Sequence, residues 1–182
     1  MTVRMLFTGI AFLAALGGWA GVDRASRPPR ARVVSDTALA ELAVGRFWHA
    51  ARIMQAEGAG DGTPEDVLAL ARAEAGWGNW AAVLELLADV DWPQDGEDAD
   101  RVYLLGRALE HAESWEEAAR VHGRFLDIVG RDDPQGPAAL ARRARALWRA
   151  GDTSSAVASL GELVAAPAVR SWSAVELTLD AA

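Results

Sequence analysis

VYLLGRALEHAESWEEAARVHGRFL, residues 102–126, carries two short helical patterns separated by a polar break. In its first half Val102, Leu105, Gly106 and Leu109 recur at i, i+3, i+4 and i+7, an apolar stripe of helical period. The pattern stops at Glu113-Ser114, where the Ser114 hydroxyl stands ready to cap a following helix by accepting a backbone N–H. Trp115 opens that second helix, and Ala118, Ala119, His122 and Phe125 continue its inner face. Small residues at Gly106 and Ala118 let the two helices approach closely. Neither helix can bury its stripe alone, so the unit needs copies of itself on either side.

The chain supplies them. Gly78-Asn79-Trp80-Ala81-Ala82-Val83-Leu84 lies 35 residues before the Trp115 motif, and Gly45-Arg46-Phe47-Trp48-His49-Ala50-Ala51 a further 33 residues back. Gly151-Asp152-Thr153-Ser154-Ser155-Ala156-Val157 follows 38 residues after Trp115. A period in the mid-thirties is the mark of a helical repeat. The pattern resembles the tetratricopeptide repeat (TPR), a helix-turn-helix unit of about 34 residues. That family places a small residue inside the first helix, a Gly-polar-aromatic turn, and an Ala three residues beyond the aromatic. Gly106, Trp115 and Ala118 match in one unit. Ala144, Leu147, Gly151 and Ala156 match in the next, with Thr153 replacing the aromatic. Ala71, Gly78 and Trp80 match in a third, with Val83 where Ala is usual, and Gly45, Phe47 and Ala50 in the first. The resemblance implies an all-α chain: a right-handed α-solenoid of about four TPR-like helix pairs over residues 36–166. A C-terminal capping helix over 167–182 completes it, and an N-terminal hydrophobic segment precedes it.

Composition agrees with close-packed helices. Half of the 182 residues are apolar (51%), chiefly Ala, Leu and Val. There is no cysteine, which removes disulfides and Cys-based metal sites. The net charge of −8 argues against nucleic acid as a partner. Of the eight tryptophans, several of which recur at the turns, most are expected to be packing residues, because large aromatics dominate core energetics.

Residues 1–22, MTVRMLFTGIAFLAALGGWAGV, hold one Arg and then an uncharged apolar run from Met5 to Val22. This reads as a signal peptide, with small residues placed for cleavage after Ala20, or as a signal anchor that contacts the membrane if left uncleaved. Residues 23–35 form an Arg/Pro-rich linker. Its arginines Arg24, Arg27, Arg30 and Arg32 favour a cytoplasmic side for the downstream domain if the segment is an anchor. Alternatively, an exported chain simply carries them, or they touch anionic headgroups. The expected location is periplasmic or inner-membrane-anchored cell envelope, with a cytoplasm-facing anchor left open.

Ser35-Asp36 caps a first helix over Thr37 to Val44, partnered by Phe47 to Glu57. Gly58 to Gly62 reads as a flexible turn-rich loop. Thr63-Pro64-Glu65-Asp66 is a strong helix start, with an N-cap Thr, Pro at the first helical position and acids at the positive end of the helix. Helices are expected over 64–76 and 80–90. Asp89 to Asp100 is an acidic loop that fails the EF-hand pattern, and Trp92 within it is free to fold back on the core. Pro137 opens a helix to Ala150, Pro167 ends its partner, and Arg170 to Ala182 forms the last amphipathic helix.

On the helix from Pro137, Arg142, Arg145 and Arg149 share a face at i, i+3 and i+7. In helical repeat arrays the first helix of each pair lines the concave, binding surface. A stripe there suits carboxylates or phosphates, which guanidinium groups grip with two hydrogen bonds. The plainer alternative is a solvated face paired with nearby acids. Arg107 and Glu110 on the preceding first-position helix join the candidate set.

No catalytic constellation emerges. His49, His111 and His122 are scattered and lack metal-ligand spacing, so each reads as a packing or surface residue. Glu113, Glu116 and Glu117 sit at an exposed turn, outside the kind of apolar pocket that prepares a general acid. The glycines of 58–62 lack the Lys-Ser/Thr of a phosphate loop. Neither a G-x-S-x-G motif nor a thiol nucleophile is present. The expected function is therefore a non-catalytic scaffold that binds a protein or peptide partner, with no metal or cofactor. A second expectation rests on Phe47-Trp48-His49-Ala50-Ala51-Arg52. This stretch looks like the superhelical region of soluble lytic murein transglycosylases, which precedes a separate lysozyme-like catalytic domain. On that reading the chain is the solenoid portion without the catalytic domain, and cleaves no glycan.

Overall fold

The structure, a computed structural model, describes residues 32–88, 98–130 and 133–165. The apolar segment 1–22, most of the linker, the acidic-loop residues 89–97 with Trp92, and the capping helix expected over 167–182 lie outside the described residues.

Eight α-helices and no strand occur among the described residues: α1 (Asp36–Ala43), α2 (Phe47–Ala56), α3 (Pro64–Gly76), α4 (Trp80–Ala88), α5 (Ala99–His111), α6 (Trp115–Val129), α7 (Gly136–Arg149) and α8 (Thr153–Ala165). Each helix packs chiefly on the next in sequence, and α3 also touches α5. The architecture is all-helical and repeat-like.

The repetition is sharpest in the backbone. Every first-to-second helix connection is the same turn. Gly45, Gly78, Glu113 and Gly151 all take positive φ, between 57° and 91°. The amide of each bonds back three residues, to Leu42, Ala75, Glu110 and Trp148. The next amide bonds back five, from Arg46 to Glu41, Asn79 to Glu74, Ser114 to Leu109 and Asp152 to Leu147. This is the Schellman closure of a helix C-terminus, and it satisfies carbonyls that the ending helix leaves open. Three of the four turns use glycine, for which this region is free of strain. The third uses Glu113.

Counting from these turns puts the packing residues in register. Seven residues before them stand Ala38, Ala71, Gly106 and Ala144, and five after them Ala50, Val83, Ala118 and Ala156, all buried. Ala38 is the small residue of the first unit, whose opening helix carries only a weak sequence signal. Nine residues after the turns stand Met54, Leu87, His122 and Leu160, of which the first three are fully enclosed. The apolar clusters bridge neighbouring units. One joins Ala38, Met54 and Leu70, another Val67, Val83 and Ala108, and a third Val102, Phe125, Leu140 and Leu163. No unit has a core of its own, which is the expected economy of stacked helical repeats.

Caps follow the sequence in part. Ser35 accepts from the Ala38 amide, and Thr63 accepts from Asp66 N while Asp66 reaches back to Thr63 N, a complete capping box behind Pro64. Ser114 departs from expectation. Its side chain makes no capping bond, because its backbone amide already closes the preceding Schellman turn and its ψ of 64° falls outside the extended region usual for an N-cap. The glycine-rich stretch also departs. Ala59–Asp61 forms a 3₁₀ turn with Ala59 fully buried, and Gly62 lies against Asp66 and Val33, where a Cβ would come within 2.7 Å of the Asp66 carboxylate.

The tryptophans correct the sequence reading in part: Trp80 and Trp115 pack against the core, and the other three described do not. Of the five described, Trp80 and Trp115 are half-buried, while Trp48, Trp77 and Trp148 are 51%, 45% and 56% exposed. Alanine, leucine and valine already fill the spaces between helices, so these three indoles are left at the rims.

Candidate functional site

The site grows from one missing methyl group. Where the other units carry Ala38, Ala71 and Ala144, α5 carries Gly106, and a Cβ there would sit 2.7 Å from His122 Cε1. The space goes to the imidazole of His122, a fully buried residue on α6 at the register position held elsewhere by Met54, Leu87 and Leu160. A buried imidazole needs a partner. Glu110, one turn along α5 from Gly106, provides it: His122 Nε2 and Glu110 Oε1 are 2.6 Å apart. The other carboxylate oxygen of Glu110 accepts from Arg142 of α7 at 2.9 Å. Three helices thus meet on one carboxylate.

The charge state of Glu110 follows from its surroundings. Burial is the largest influence and pushes its pKa up. The His122 hydrogen bond, with the nearby charges of His122, Arg142 and Arg107, outweighs it and holds the carboxyl below its ordinary value of 4.5. With Glu110 ionised, His122 Nε2 carries a proton and donates, while Nδ1 faces the Gly106 backbone and makes no hydrogen bond among the described residues. The Glu–His pair has the bonding of a general-base dyad but is enclosed. Through Glu110 it is joined to Arg142, whose side chain is the most exposed of the three.

The remaining candidates surround this centre. Arg107 lies with its guanidinium carbon 4.7 Å from the Trp80 ring centroid, and His111, one turn on, stacks on the same indole with ring centroids 4.7 Å apart. His111 is exposed, yet its pKa is lowered. Partial burial is the first cause and the Arg107 charge the second; Arg142 and Arg145 add to it, while Glu110 opposes. Arg149 stands apart, 5.8 Å over the Trp115 ring at the next turn. The structure thus joins Glu110 to Arg142, sets Arg107 over Trp80, carries Arg145 one turn beyond Arg142 on α7, and leaves Arg149 at Trp115. Arg142 is neither freely solvated nor wholly available, since its side chain is 16% exposed and committed to Glu110.

Sequence reading singles out Glu110 and Arg142 but treats His122 as packing. The available signal is the joint departure of Gly106 and His122 from the register of the other units. A second buried carboxylate also escapes it. Glu74 of α3 is fully enclosed and accepts from Gln55 Nε2 at 2.5 Å and Asn79 Nδ2 at 2.7 Å, a neutral cradle that ties the turn after α3 to α2.

No protein-family model matches the chain, and no curated protein is similar to it. Among the described residues no group of three His, Cys, Asp or Glu side chains is placed to hold a metal ion, and no helix is long and apolar enough to cross a membrane.

Proposed function

We propose that the chain is a non-catalytic, TPR-like scaffold of the cell envelope that docks a carboxylate-bearing segment of a protein or peptide partner on the face shared by α5 and α7. The four helix pairs form a solenoid, with α1, α3, α5 and α7 on its inner side. Residues 1–22 either hold it at the membrane or are removed on export. The observation that carries the reading is the run of guanidinium groups on neighbouring first helices, with Arg142 bonded to Glu110 at 2.9 Å, Arg107 held over Trp80 on α5, and Arg145 one turn beyond Arg142 on α7, against the one carboxylate of Glu110. In a chain of net charge −8 this is a local cationic excess. Complementary charge of this kind speeds encounter and selects among partners more than it adds raw affinity.

The test uses Arg145→Glu with Arg149→Glu. Arg142 is left unchanged, because its reversal would set two carboxylates against each other in a buried place. Immobilised wild-type and variant chains are exposed to envelope extract, and bound proteins are identified by mass spectrometry. The variant is expected to keep its helix content by circular dichroism and lose the captured partner. The same proteins recovered on both would overturn the reading.

A further inference from the structure

Three exposed apolar residues lie next in sequence to the residues of one contact on the first two units. The Phe47 ring, at the start of α2, lies between Gly45 and the α carbon of Gly76 at the end of α3. Val44 precedes that contact, and Trp48 and Trp77 stand one residue beyond its two sides. They are 65%, 51% and 45% exposed. The position held by Val44 and Trp77 is filled by Ala112 and Ala150 in the later units. The position of Trp48 is filled by Ala81, Glu116 and Ser154. Large apolar groups at these two positions are thus confined to the end of the array nearest the N-terminus.

The charge around them is equally local. The stretches 44–56 and 75–84 contain no Asp or Glu, although the whole chain has 26 acidic residues against 18 basic. The same stretches carry Arg46, His49 and Arg52, of which Arg46 is paired with Glu41. Indoles beside Arg46 and Arg52, with the neighbouring Glu41 carboxylate taken up by Arg46, match the interfacial region of an anionic bilayer, where Trp rests at headgroup depth.

The attachment of the chain argues in the same direction. Val33 and Val34 donate their amides to the Asp66 carboxylate at 3.1 and 3.2 Å, and Ser35 donates to Glu57 at 3.0 Å, so the described chain begins pinned to the start of α3. The rim at Trp77 lies at the other end of α3. That helix has 13 residues, which makes it about 20 Å long at 1.5 Å per residue. From Val22, the end of the apolar run, to Arg32 an extended chain reaches roughly 33 Å. A membrane-held residue 22 therefore leaves this rim within reach of the surface.

We infer that Val44, Trp48 and Trp77 form a membrane-contacting rim that seats the first two units on an anionic lipid surface. This leaves the α5–α7 face, carried by the third and fourth units, to its partner. The inference rests on residues 1–22 acting as the anchor and is independent of what docks on α5 and α7.

The absence of cysteine in the chain makes the test direct. Full-length Trp48→Cys, Trp77→Cys and Trp148→Cys variants are each labelled with the environment-sensitive dye NBD. They are reconstituted with vesicles of equal parts phosphatidylcholine and phosphatidylglycerol. Labels at 48 and 77 are expected to shift to the blue and to be quenched by brominated lipid, while the label at 148 stays water-like. Vesicles of phosphatidylcholine alone should weaken the first two signals. The Arg145→Glu, Arg149→Glu background should leave them unchanged, which separates this rim from the partner-docking face. Emission at 48 and 77 indistinguishable from that at 148 in the vesicle-bound chain would overturn the inference. So would blue-shifted emission without vesicles, which would mean self-association, or failure of the chain to sediment with vesicles at all.

Discussion

Replacing Glu110 with Gln tests the buried triad with almost no change of shape. The amide oxygen can still accept from His122, but the amide nitrogen then faces the Arg142 guanidinium, donor against donor. Two charge-assisted hydrogen bonds, at 2.6 and 2.9 Å, become one neutral bond and one repulsive contact. Hydrogen bonds to charged groups contribute about 1.5–3 kcal/mol each, and removing one member of a buried ion pair costs about 3–5 kcal/mol. Arg142 keeps some contact with water, which places the expected loss at the low end, about 3 kcal/mol. For a chain of this size that is a fall of about 6–12 °C in Tm, read by circular dichroism. The companion variant carries Glu110→Leu, His122→Leu and Arg142→Leu together, side chains that Leu42, Leu87 and Leu104 already show at the corresponding register positions. Well-packed apolar replacements of a buried ionic cluster are neutral or stabilising, so this triple change is expected to melt within about 4 °C of wild type or above it. A loss below about 1 kcal/mol for Glu110→Gln would refute the view that the triad is desolvated and mutually dependent. A triple variant as unstable as the single one would refute it equally.

Three further outcomes are expected. Wild type should lose stability in acid more steeply than Glu110→Gln. The Glu110 carboxyl sits below 4.5 in the folded chain, so its contribution is complete above that value and disappears as pH falls through the lowered one. Glu113→Gly should raise Tm by about 1–4 °C. A left-handed non-glycine residue costs about 1–2 kcal/mol, of which the greater freedom of unfolded glycine returns about 0.5–1 kcal/mol. Asp66→Ala should abolish hydrogen-exchange protection of the Val33 and Val34 amides and cost about 1–2 kcal/mol through the lost capping box. In wild type the same protection should vanish in strong acid. Burial raises the Asp66 pKa, but the Thr63, Val33 and Val34 hydrogen bonds outweigh it and hold it below 3.8.

The helices and their order are legible because glycine and small residues punctuate the chain at nearly regular intervals. Gly45, Gly78 and Gly151 announce their turns. Glu113 does not, and that turn is read from the end of the apolar stripe at Glu113-Ser114. Thr63-Pro64 is legible for a local reason, since a cap and a first-turn proline act within four residues. Ser114 misleads because the same local rule is overridden by the turn before it. The triad is half legible. Glu110 and Arg142 are 32 residues apart, and nothing in either helix alone says that one neutralises the other. Trp48, Trp77 and Trp148 mislead in the opposite sense, because aromatic size suggests burial while the tight Ala-rich spacing between helices leaves these indoles outside.

The triad also gives the units an order. In principle, any helix pair of such an array could be duplicated, deleted or moved, since each offers its neighbour a similar apolar surface. The third pair is different. Its Glu110 needs a guanidinium from the next helix pair, and at the register position of Arg142 the other first helices hold Asp36, Ala69 and Leu104. Set beside any of those, Glu110 would keep its histidine and lose its cation. A shuffled or recombined chain would therefore meet its penalty at this one junction. The buried carboxylate works as an address, admitting only the fourth pair as the third pair's successor.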